Sequence, residues 1–334
     1  MLNQASEIIP IGWETSPEAP WGIVGGTDSM RKIFDVIPRV AQAEATVMIT
    51  GESGTGKELV ARAIHESSAR GQAGFVALNC GVLSTHLVES ELFGHEKGAF
   101  TGAMSRKVGR FEAANGGTFL LDEVTEMSLD MQGKFLRVIQ EGEFERVGSS
   151  VATPVDVRLI ATTNRNLSQQ VRDGKFREDL FFRLNVIPIR MPPLKDRVAD
   201  IPGLVHHFIE KHNKKNHRAI TGIIGGAMGM LMGYSWPGNI RELENIVERA
   251  VVLAKGHDLI LGDFPLDVLL GHGPVDDVRF PIPMTIEAMK DHMITRTLDH
   301  FGGNKTRAAE ALGIETRTIR NRLYGRNPKP KREN

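Results

Sequence analysis

Short apolar runs alternate with helical patterns along the chain as far as Pro192. Each run is a few residues long and rich in branched side chains, which is typical of strands buried on both faces of a parallel sheet. The runs are ATVMITG at 45–51, FVALN at 75–79, GTFLLDE at 117–123, DVRLIATTN at 156–164 and NVIPIRM at 185–191. The first is followed by KELVARAIHESS, whose apolar residues have helical spacing. The repeated order of strand, loop and helix predicts an α/β fold, with a parallel sheet flanked by helices.

Beyond Pro193 the strand pattern stops and helical patterns follow. Residues 200–215 and 239–254 have the apolar spacing of amphipathic helices, which predicts a small all-helical subdomain. Residues 222–233 contain five glycines. Each glycine lowers helix propensity by about 1 kcal/mol, so any helix there must be held by packing.

The pattern divides the chain into six segments. Residues 265–283 combine Pro, Gly and acidic side chains without periodicity, which indicates a linker, and helical periodicity returns at Met284. The predicted segments are an N-terminal extension (1–21), the α/β subdomain (22–192), the helical subdomain or lid (193–264), the linker (265–283), an all-helical C-terminal domain (284–326) and a basic tail (327–334).

Composition shows a local excess of positive charge and excludes a disulfide-stabilised or membrane-spanning protein. The chain has 41 basic and 41 acidic side chains, but residues 301–334 have nine Lys or Arg against three Asp or Glu, a local charge of +6. The single cysteine, Cys80, excludes an internal disulfide, and we expect it to fill space in the core. No run approaches the roughly 18 apolar residues of a membrane span, so we expect a cytoplasmic protein without a membrane partner.

The stretch GESGTGKE, between the first strand and the first helix of the sheet, matches the phosphate-binding loop pattern G-x4-G-K. Glycines let backbone N–H groups turn toward phosphate oxygens, the helix N-terminus attracts anions, and the lysine reaches the β- and γ-phosphates. Glu58 stands where Ser or Thr usually supplies a hydroxyl to Mg²⁺. A glycine-rich turn without a ligand is the alternative. The predicted ATP-binding residues are Gly51, Glu52, Ser53, Gly54, Thr55, Gly56, Lys57 and Glu58.

A second buried strand, GTFLLDE, delivers Asp122 and Glu123 at its carboxyl end, the edge where open α/β sheets bind ligands. Two adjacent acids on a core strand are costly to bury unless they hold a cation or take up a proton. We therefore assign Asp122 to Mg²⁺ and Glu123 to polarising the attacking water. Together with the phosphate loop, these acids predict hydrolysis of a nucleoside triphosphate.

The C-terminal segment has the spacing of a helix-turn-helix. Ala309 lets two helices approach, Gly313 makes the turn, and Ile319 faces inward from the second helix. We expect the exposed residues of this unit to bind DNA, and a solvated basic hairpin is the alternative. The predicted DNA-binding residues are Lys305, Arg307, Arg317, Thr318, Arg320, Asn321 and Arg322. The preceding helical stretch has an apolar face, including Met293, Ile294 and Leu298, that predicts dimerisation.

Together, these stretches resemble the bacterial enhancer-binding proteins, the AAA+ ATPases that activate sigma-54 RNA polymerase. The resemblance spans about residues 22–325 and depends on GESGTGKE, ESELFGHEKGAFTGA, GGTFLLDE, FREDLFFRL and WPGNIREL. Glu58 fits this class as it stands. The resemblance implies a ring, usually a hexamer, with ATP between neighbouring subunits. It also implies enhancer DNA and the sigma-54 holoenzyme as partners.

The resemblance implies further roles within the ATP site. Asn79 matches the residue that restrains Glu123 until the γ-phosphate is sensed, although an ordinary strand-end hydrogen bond remains an alternative for it. Asn164 matches the sensor I position. Arg241 matches sensor II, which connects the helical lid to the nucleotide.

Two arginines of FREDLFFRL, Arg177 and Arg183, resemble the arginine fingers that one subunit supplies to its neighbour's ATP. A cation there stabilises the charge that develops during phosphoryl transfer. Surface ion pairs with Glu178 and Asp179 are the alternative.

The hexapeptide GAFTGA, uncharged and flanked by charged residues, resembles the loop of this class that contacts sigma-54. Its glycines permit a tight reversal, Phe100 and Thr101 extend at the tip, and the two alanines allow close docking. A buried hairpin tip is the alternative. The predicted sigma-54 contacts are Gly98, Ala99, Phe100, Thr101, Gly102 and Ala103.

The sequence therefore predicts an ATP-driven transcription activator that remodels closed sigma-54 complexes. One alternative is a DNA-binding regulator of the same fold that uses nucleotide only as an assembly switch. Another is an AAA+ remodeller such as a helicase loader, which leaves the hexapeptide and the helix-turn-helix unexplained. The segment before residue 22 is too short to fold alone, so we expect control in trans by a regulatory protein.

Overall fold

The computed structural model describes residues 8–10, 21–81, 85–265, 290, 293–295, 297–298, 304–312 and 314–319. The chain forms two compact units, residues 1–274 and 275–334. Among the described helices, none has both the length and the apolar content that a bilayer span requires.

The strands of the described residues are mostly short. They are Ile8–Pro10 (β1), Val47–Thr50 (β2), Phe75–Asn79 (β3), Gly94–His95 (β4), Lys107–Val108 (β5), Thr118–Asp122 (β6), Glu143–Glu145 (β7), Ala152–Pro154 (β8), Arg158–Thr163 (β9), Ile187–Arg190 (β10), Gly222–Ile224 (β11) and Asp258–Leu259 (β12).

The helices vary from one turn to more than four. They are Asp28–Ala41 (α1), Lys57–Glu66 (α2), Thr85–Phe93 (α3), Arg110–Ala113 (α4), Leu129–Glu141 (α5), Leu167–Arg172 (α6), Glu178–Leu184 (α7), Ile201–Asn216 (α8), Gly225–Gly233 (α9), Asn239–Leu253 (α10) and Lys305–Leu312 (α11). Single 3₁₀ turns occur at Val124–Glu126, Leu194–Asp196, Val198–Asp200 and Leu261–Asp263.

A parallel five-stranded sheet in the order β10-β2-β9-β6-β3 organises the first unit. Each of its strands lies within one of the five apolar runs, so the predicted α/β fold is confirmed. Thr50 pairs with Thr163, and Asn79 pairs with Asp122, in the register of the ladders. The carboxyl ends of four neighbouring strands therefore lie side by side at one edge.

Two apolar layers explain why the strands lack an alternating pattern. On β2, Val47 and Ile49 pack with Ile37 and Ile64 from the flanking helices. Met48, between them in sequence, belongs to the layer on the opposite face of the sheet. Because side chains of a strand point to alternate faces, both faces of this strand must be apolar.

Arg158, at the start of β9, is a buried charge with a structural function. Its Nη1 and Nη2 donate to the carbonyls of Ala41 and Val40, 2.8 and 2.6 Å away, at the end of α1. Burial lowers the pKa of this guanidinium, with Glu44 opposing the effect. The side chain thus adds hydrogen bonds to carbonyls in the last turn of the helix, where intrahelical donors run out.

The lid packs α8, α9 and α10 around its own apolar core, which includes the buried Trp236. In the three-stranded sheet β1-β11-β12, β11 and β12 come from the lid, and β1, from the N-terminal extension, pairs with β11. The lid therefore contains two short strands and is not the all-helical module that the sequence predicted. The glycine-rich helix α9 forms, and its Ala227, Met228 and Leu231 are buried. Tertiary packing therefore holds this helix against its low intrinsic propensity.

In the second unit, the side chain of Asn304 accepts from the amides of Thr306 and Arg307 and caps the start of α11. A short helical segment at 316–319 follows. The apolar cluster contains Ile294, Leu298, Ala308, Ala309 and Ile319. Ile294 and Leu298 are therefore part of this unit's own core and do not form the dimerisation face expected of them, whereas Met293 is exposed.

Candidate nucleotide and partner sites

The phosphate loop lies between β2 and α2, as its sequence predicts. Gly54 and Gly56 have φ values of +76° and +94°, which residues with a Cβ rarely adopt. Lys57 is the first residue of α2, and its Nζ donates to the carbonyls of Gly51 and Glu52 over 2.9 and 3.2 Å. Thr55 Oγ1 donates to the carbonyl of Glu52 across the turn. These bonds close the loop on itself and hold the ammonium at its mouth.

Glu58, the residue in place of the usual hydroxyl, lies in the first turn of α2 and is about half exposed. Its carboxylate forms an ion pair with Arg62 at 2.8 Å, one helical turn further on. An acid in the first turn also suits the positive end of the helix dipole. Both side chains line the same cleft as the phosphate loop.

Asp122 ends β6 and is held by residues of the adjacent strands β9 and β3. Its Oδ1 accepts from Thr162 Oγ1, and its Oδ2 accepts from Asn79 Nδ2, each over 2.6 Å. The amide of Cys80 donates to the Asp122 carbonyl. Two hydrogen-bond donors thus orient one carboxylate at the carboxyl edge of the sheet.

Glu123 follows in a strained left-handed conformation, with φ 55° and ψ 53°. Its Oε2 accepts from the amide of Asn164 at 2.9 Å, and its own amide donates to Thr162 Oγ1. Its Oε1 lies 3.4 Å from Lys57 Nζ. The backbone strain therefore brings this carboxylate to the lysine of the phosphate loop, as strained residues at functional sites often do.

Asn79 lies beside the acids, but its contact differs from the one expected. Its Nδ2 donates to Asp122, and its Oδ1 accepts from the amide of Gly81. In this structure Glu123 is held by Asn164 and Lys57, without Asn79. The strand-end hydrogen bond named as the alternative for Asn79 is thus present.

Cys80 follows Asn79 and is buried. Burial raises the pKa of its thiol to about 12, and the nearby charge of Asp122 adds to the effect. The thiol therefore stays protonated at neutral pH, which fits the expected role of filling space in the core.

A cleft of about 660 Å³ joins these groups to the lid. Such a volume is typical of sites for small molecules and cofactors. One end holds Lys57, Asp122, Glu123, Asn79 and Asn164. The remaining walls include apolar side chains that sequence reasoning did not single out, namely Ile23, Val24, Met191, Leu204, Phe208 and Ile240.

The lid contacts the phosphate loop directly at the start of α10. Asn239 is buried with φ 52°, and its Nδ2 donates to Glu52 Oε2 and to the Ser53 carbonyl, both at 3.0 Å. The Ile240 amide donates to the Gly54 carbonyl. A Cβ on Gly54 would lie 2.3 Å from the Gly238 carbonyl oxygen, so the two backbones need this glycine. The motif WPGN marks Asn239 in the sequence. Only the folded structure shows that Asn239 contacts the phosphate loop.

Arg241 is exposed and lines the cleft from the lid, where its Nη1 lies 3.3 Å from Ser53 Oγ. The structure therefore brings this residue to the phosphate loop. It does not bring Arg177 or Arg183 there, because neither lines the cleft of its own chain. Arg177 forms a bidentate ion pair with Asp179, with contacts of 3.0 and 2.7 Å. Arg183 is exposed on α7.

The hexapeptide 98–103 lies at the tip of the β4–β5 hairpin. The Gly98 amide donates to the Ala103 carbonyl over 2.9 Å, and the Ala103 amide donates to the Phe100 carbonyl over 3.0 Å. Gly98 and Gly102 have φ of +86° and +106°, and no other atom lies within 4 Å of where their Cβ would be. Backbone conformation, not space, therefore requires these glycines.

The exposed part of the hexapeptide is smaller than expected. Phe100 is 43% exposed, with its ring edge-on to His95, and Thr101 is exposed. Ala103 is buried, and Ala99 packs on the backbone at Gly148. Ala103 thus faces its own chain, and Ala99 is only partly exposed.

The second unit presents several of the predicted DNA-binding side chains. Arg307, Arg317 and Thr318 are exposed, and Lys305 is partly buried. Arg320, Asn321 and Arg322 lie outside the described residues. A basic surface carried by a turn and a short helix is typical of major-groove binding.

Three protein-family models match the chain in succession. The "Sigma-54 interaction domain" matches residues 23–190, the "AAA+ ATPase lid domain" residues 195–274, and "Bacterial regulatory protein, Fis family" residues 285–324. The matches follow the sheet with its phosphate loop, the lid and the C-terminal helices.

Named relatives agree with these matches. The chain is 50% identical over 310 residues to the transcriptional regulatory protein ZraR of Klebsiella oxytoca, covering 91% of this chain and 69% of the relative. It is 46% identical over 337 residues to the regulatory protein AtoC of Escherichia coli K12, covering 98% and 73%. The Nif-specific regulatory protein of Azotobacter vinelandii is 46% identical over 309 residues, covering 91% and 59%.

Among solved structures, NtrX from Brucella abortus in complex with ATP is similar, with a TM-score of 0.67 and 38% identity. The similarity covers 91% of this chain and 68% of NtrX. With its parallel sheet, phosphate loop, lid and C-terminal helix-turn-helix, the chain belongs to the sigma-54-dependent transcriptional activators, a family of AAA+ ATPases with a Fis-type DNA-binding domain.

Proposed function

We propose that this protein hydrolyses ATP to remodel the closed complex of sigma-54 RNA polymerase while bound to enhancer DNA in the cytoplasm. One observation carries the proposal. A cleft with the groups for phosphoryl transfer and an exposed Phe100–Thr101 tip occur in the same compact unit.

The phosphates bind at the loop 51–58. Its backbone N–H groups and the start of α2 suit anionic oxygens, and Lys57 exchanges its carbonyl partners and Glu123 for the β- and γ-phosphates. The nucleotide base lies among the apolar side chains of the remaining walls. Val24 from the α/β subdomain and Phe208 from the lid both line the cleft there.

The residues present fit Mg²⁺. A hard cation prefers carboxylate oxygens, and Asp122 offers an oriented carboxylate at the phosphate end of the cleft. Among the described residues, no group of three or more His, Cys, Asp or Glu is arranged to hold a metal, so nucleotide phosphates and water would supply the other ligands. Bound there, Mg²⁺ would neutralise charge on the phosphate oxygens.

Glu123 accepts the proton of the attacking water. Its carboxylate is anchored by the Asn164 amide at one oxygen, and the other faces the position that the γ-phosphate takes near Lys57. Asn164, at the sensor I position, is thereby connected to the base through its backbone. Asn79 senses the nucleotide through Asp122, whose carboxylate it holds.

Arg177 and Arg183 act on the ATP of a neighbouring subunit in a ring, for which a hexamer is the expected size. Neither arginine lines the cleft of its own chain, which supports action in trans. To do so, Arg177 must release Asp179. Both side chains of this ion pair are exposed, so the pair is weak. Arg241 reports the nucleotide to the lid.

Phe100 and Thr101 deliver the movement to sigma-54. The hairpin has ion pairs at its base, where Glu96 lies 3.3 Å from Arg146 and 3.8 Å from Arg106. The described C-terminal helices, with the exposed Arg317 and Thr318, bind the enhancer.

Thr101→Ala tests the proposal. We expect normal ATP turnover and ring formation but no opening of a sigma-54 promoter, measured by permanganate reactivity of the melted DNA. Ser105→Ala, an exposed hydroxyl just outside the hexapeptide, is the matched control and should open the promoter. Lys57→Ala should abolish turnover and leave enhancer binding intact. Promoter opening by Thr101→Ala would contradict the role of the loop.

A further inference from the structure

Arg197 is a buried guanidinium on the wall of the nucleotide cleft. It lies between the two 3₁₀ turns that connect β10 to α8, and its side chain is 1% exposed. Nη2 donates to the carbonyl of Thr55, in the phosphate loop, over 3.2 Å. The residue therefore joins the segment that leads to the lid with the loop that binds phosphate.

The rest of the guanidinium lacks partners. Nε and Nη1 are closed to water, and neither has a hydrogen-bond partner among the described residues. Arginine has five N–H donors, and buried donors left unpaired are costly. Burial also lowers the pKa of Arg197, which shows that the surroundings compensate the charge only in part.

The nearby acid, Asp200, does not supply the hydrogen-bond partners that Arg197 lacks. Asp200 acts on Arg197 electrostatically, but its oxygens accept from the Gly26 amide, the Thr27 amide and Thr27 Oγ1 over 2.7, 3.0 and 2.9 Å. Asp200 is thus committed to the start of α1. A buried cation with free donors beside the phosphate loop calls for an anion that enters the cleft.

We propose that Arg197 is a nucleotide-binding residue, whose free N–H groups bind the phosphates of the nucleotide held on the phosphate loop. This inference depends on the proposed function only in that the cleft binds a nucleotide. A planar guanidinium suits two phosphate oxygens at once. Because Nε and Nη1 are closed to water, the contact forms as the nucleotide seats and the lining side chains move apart.

The position of Arg197 gives the contact a consequence for the lid. Asp200, three residues later, holds Gly26 and Thr27, next to Val24 in the apolar wall. Phosphate on Arg197 therefore acts on the segment that positions both α8 and the apolar wall. Arg241 contacts the loop from α10, whereas Arg197 does so from the connection before α8.

Arg197→Met is the test, with a fluorescent N-methylanthraniloyl ADP as the probe. We expect the Kd for the probe to rise about 10-fold or more, the loss expected for hydrogen bonds to a charged group. Without nucleotide, the melting temperature should be unchanged or higher, because a partly compensated buried charge is replaced by an apolar side chain of similar length. If Arg197 is purely structural, Arg197→Met should instead bind the probe with the wild-type Kd and melt at a lower temperature.

Arg158→Met is the matched control. Arg158 is equally buried, its pKa is also lowered by burial, and it also has an unpaired Nε. It caps α1 and does not line the cleft. This variant should melt at a lower temperature than the wild type and bind the probe with the wild-type Kd.

Pyrophosphate competition shows which part of the nucleotide is bound. If Arg197 binds phosphate, pyrophosphate displaces the probe from Arg197→Met less well than from the wild type, and Arg197→Lys, which keeps the charge, lies between them. Equal displacement from all three proteins contradicts the phosphate contact. A wild-type Kd in Arg197→Met overturns the inference alone, whereas a wild-type protein that binds no probe overturns the proposed function.

Discussion

The exchange of Glu123 for glutamine separates nucleotide binding from hydrolysis. Glutamine keeps the size of the side chain and one oxygen for the Asn164 amide, which lies 2.9 Å from the carboxylate. It removes the negative charge and the capacity to take a proton from water. We expect ATP to bind and turnover to fall.

The size of both effects follows from the geometry. Loss of a positioned general base costs about 10²- to 10⁴-fold in rate, or about 3–5 kcal/mol in the activation free energy. Glu123 and Lys57 lie 3.4 Å apart. At an effective dielectric constant of 20, this pair has a Coulomb energy of about 5 kcal/mol, an upper limit because desolvation opposes it. Glutamine frees Lys57 for the phosphates, so the affinity for ATP should stay level or increase.

Phosphate release at saturating ATP measures turnover, and a fluorescent ATP analogue measures binding. Glu141→Gln serves as the control, since Glu141 is exposed at the end of α5 and does not line the cleft, so the turnover of this variant should stay close to that of the wild type. Turnover by Glu123→Gln within about tenfold of the wild type, at a filled site, would refute the assignment of Glu123 as the base.

Three further predictions follow from individual contacts. Gly148→Ala places a Cβ 2.6 Å from that of Ala99 at φ +83°, so it should displace the hexapeptide and reduce promoter opening in the permanganate assay while ATP turnover persists. Gly54→Ala meets the Gly238 carbonyl at 2.3 Å, so it should separate lid and phosphate loop and weaken binding of the ATP analogue by at least about tenfold. Burial holds the pKa of His206 below its ordinary value of 6.5, with Glu210 opposing. The unfolded chain therefore binds more protons below that pH, and the melting temperature should decrease as the pH falls from about 7.5 to 5.5, less steeply in His206→Leu. A melting temperature that does not change with pH, or that changes equally with pH in the wild type and in His206→Leu, contradicts this account.

The sequence by itself determined the central sheet of this protein and the candidate residues of its nucleotide site. Apolar runs located all five strands of the central sheet, because a strand covered on both faces has to be apolar at successive positions. The phosphate loop, Asp122 and Glu123 were found because their backbone and charge requirements depend on residues that are adjacent in the chain. The hexapeptide was singled out by its composition and its resemblance to the loop of this class, and its contact with sigma-54 stays a prediction.

Tertiary structure decided the contacts between distant segments. Asn239 meets Glu52 across 187 positions of sequence, and Arg197 meets Thr55 across 142, so no local pattern could predict either pairing. It also decided which small or apolar residues face inward. Ala103 is buried in its own chain, and Ile294 is part of a core rather than a dimer face, because burial depends on the three-dimensional neighbours and not on the residue type alone.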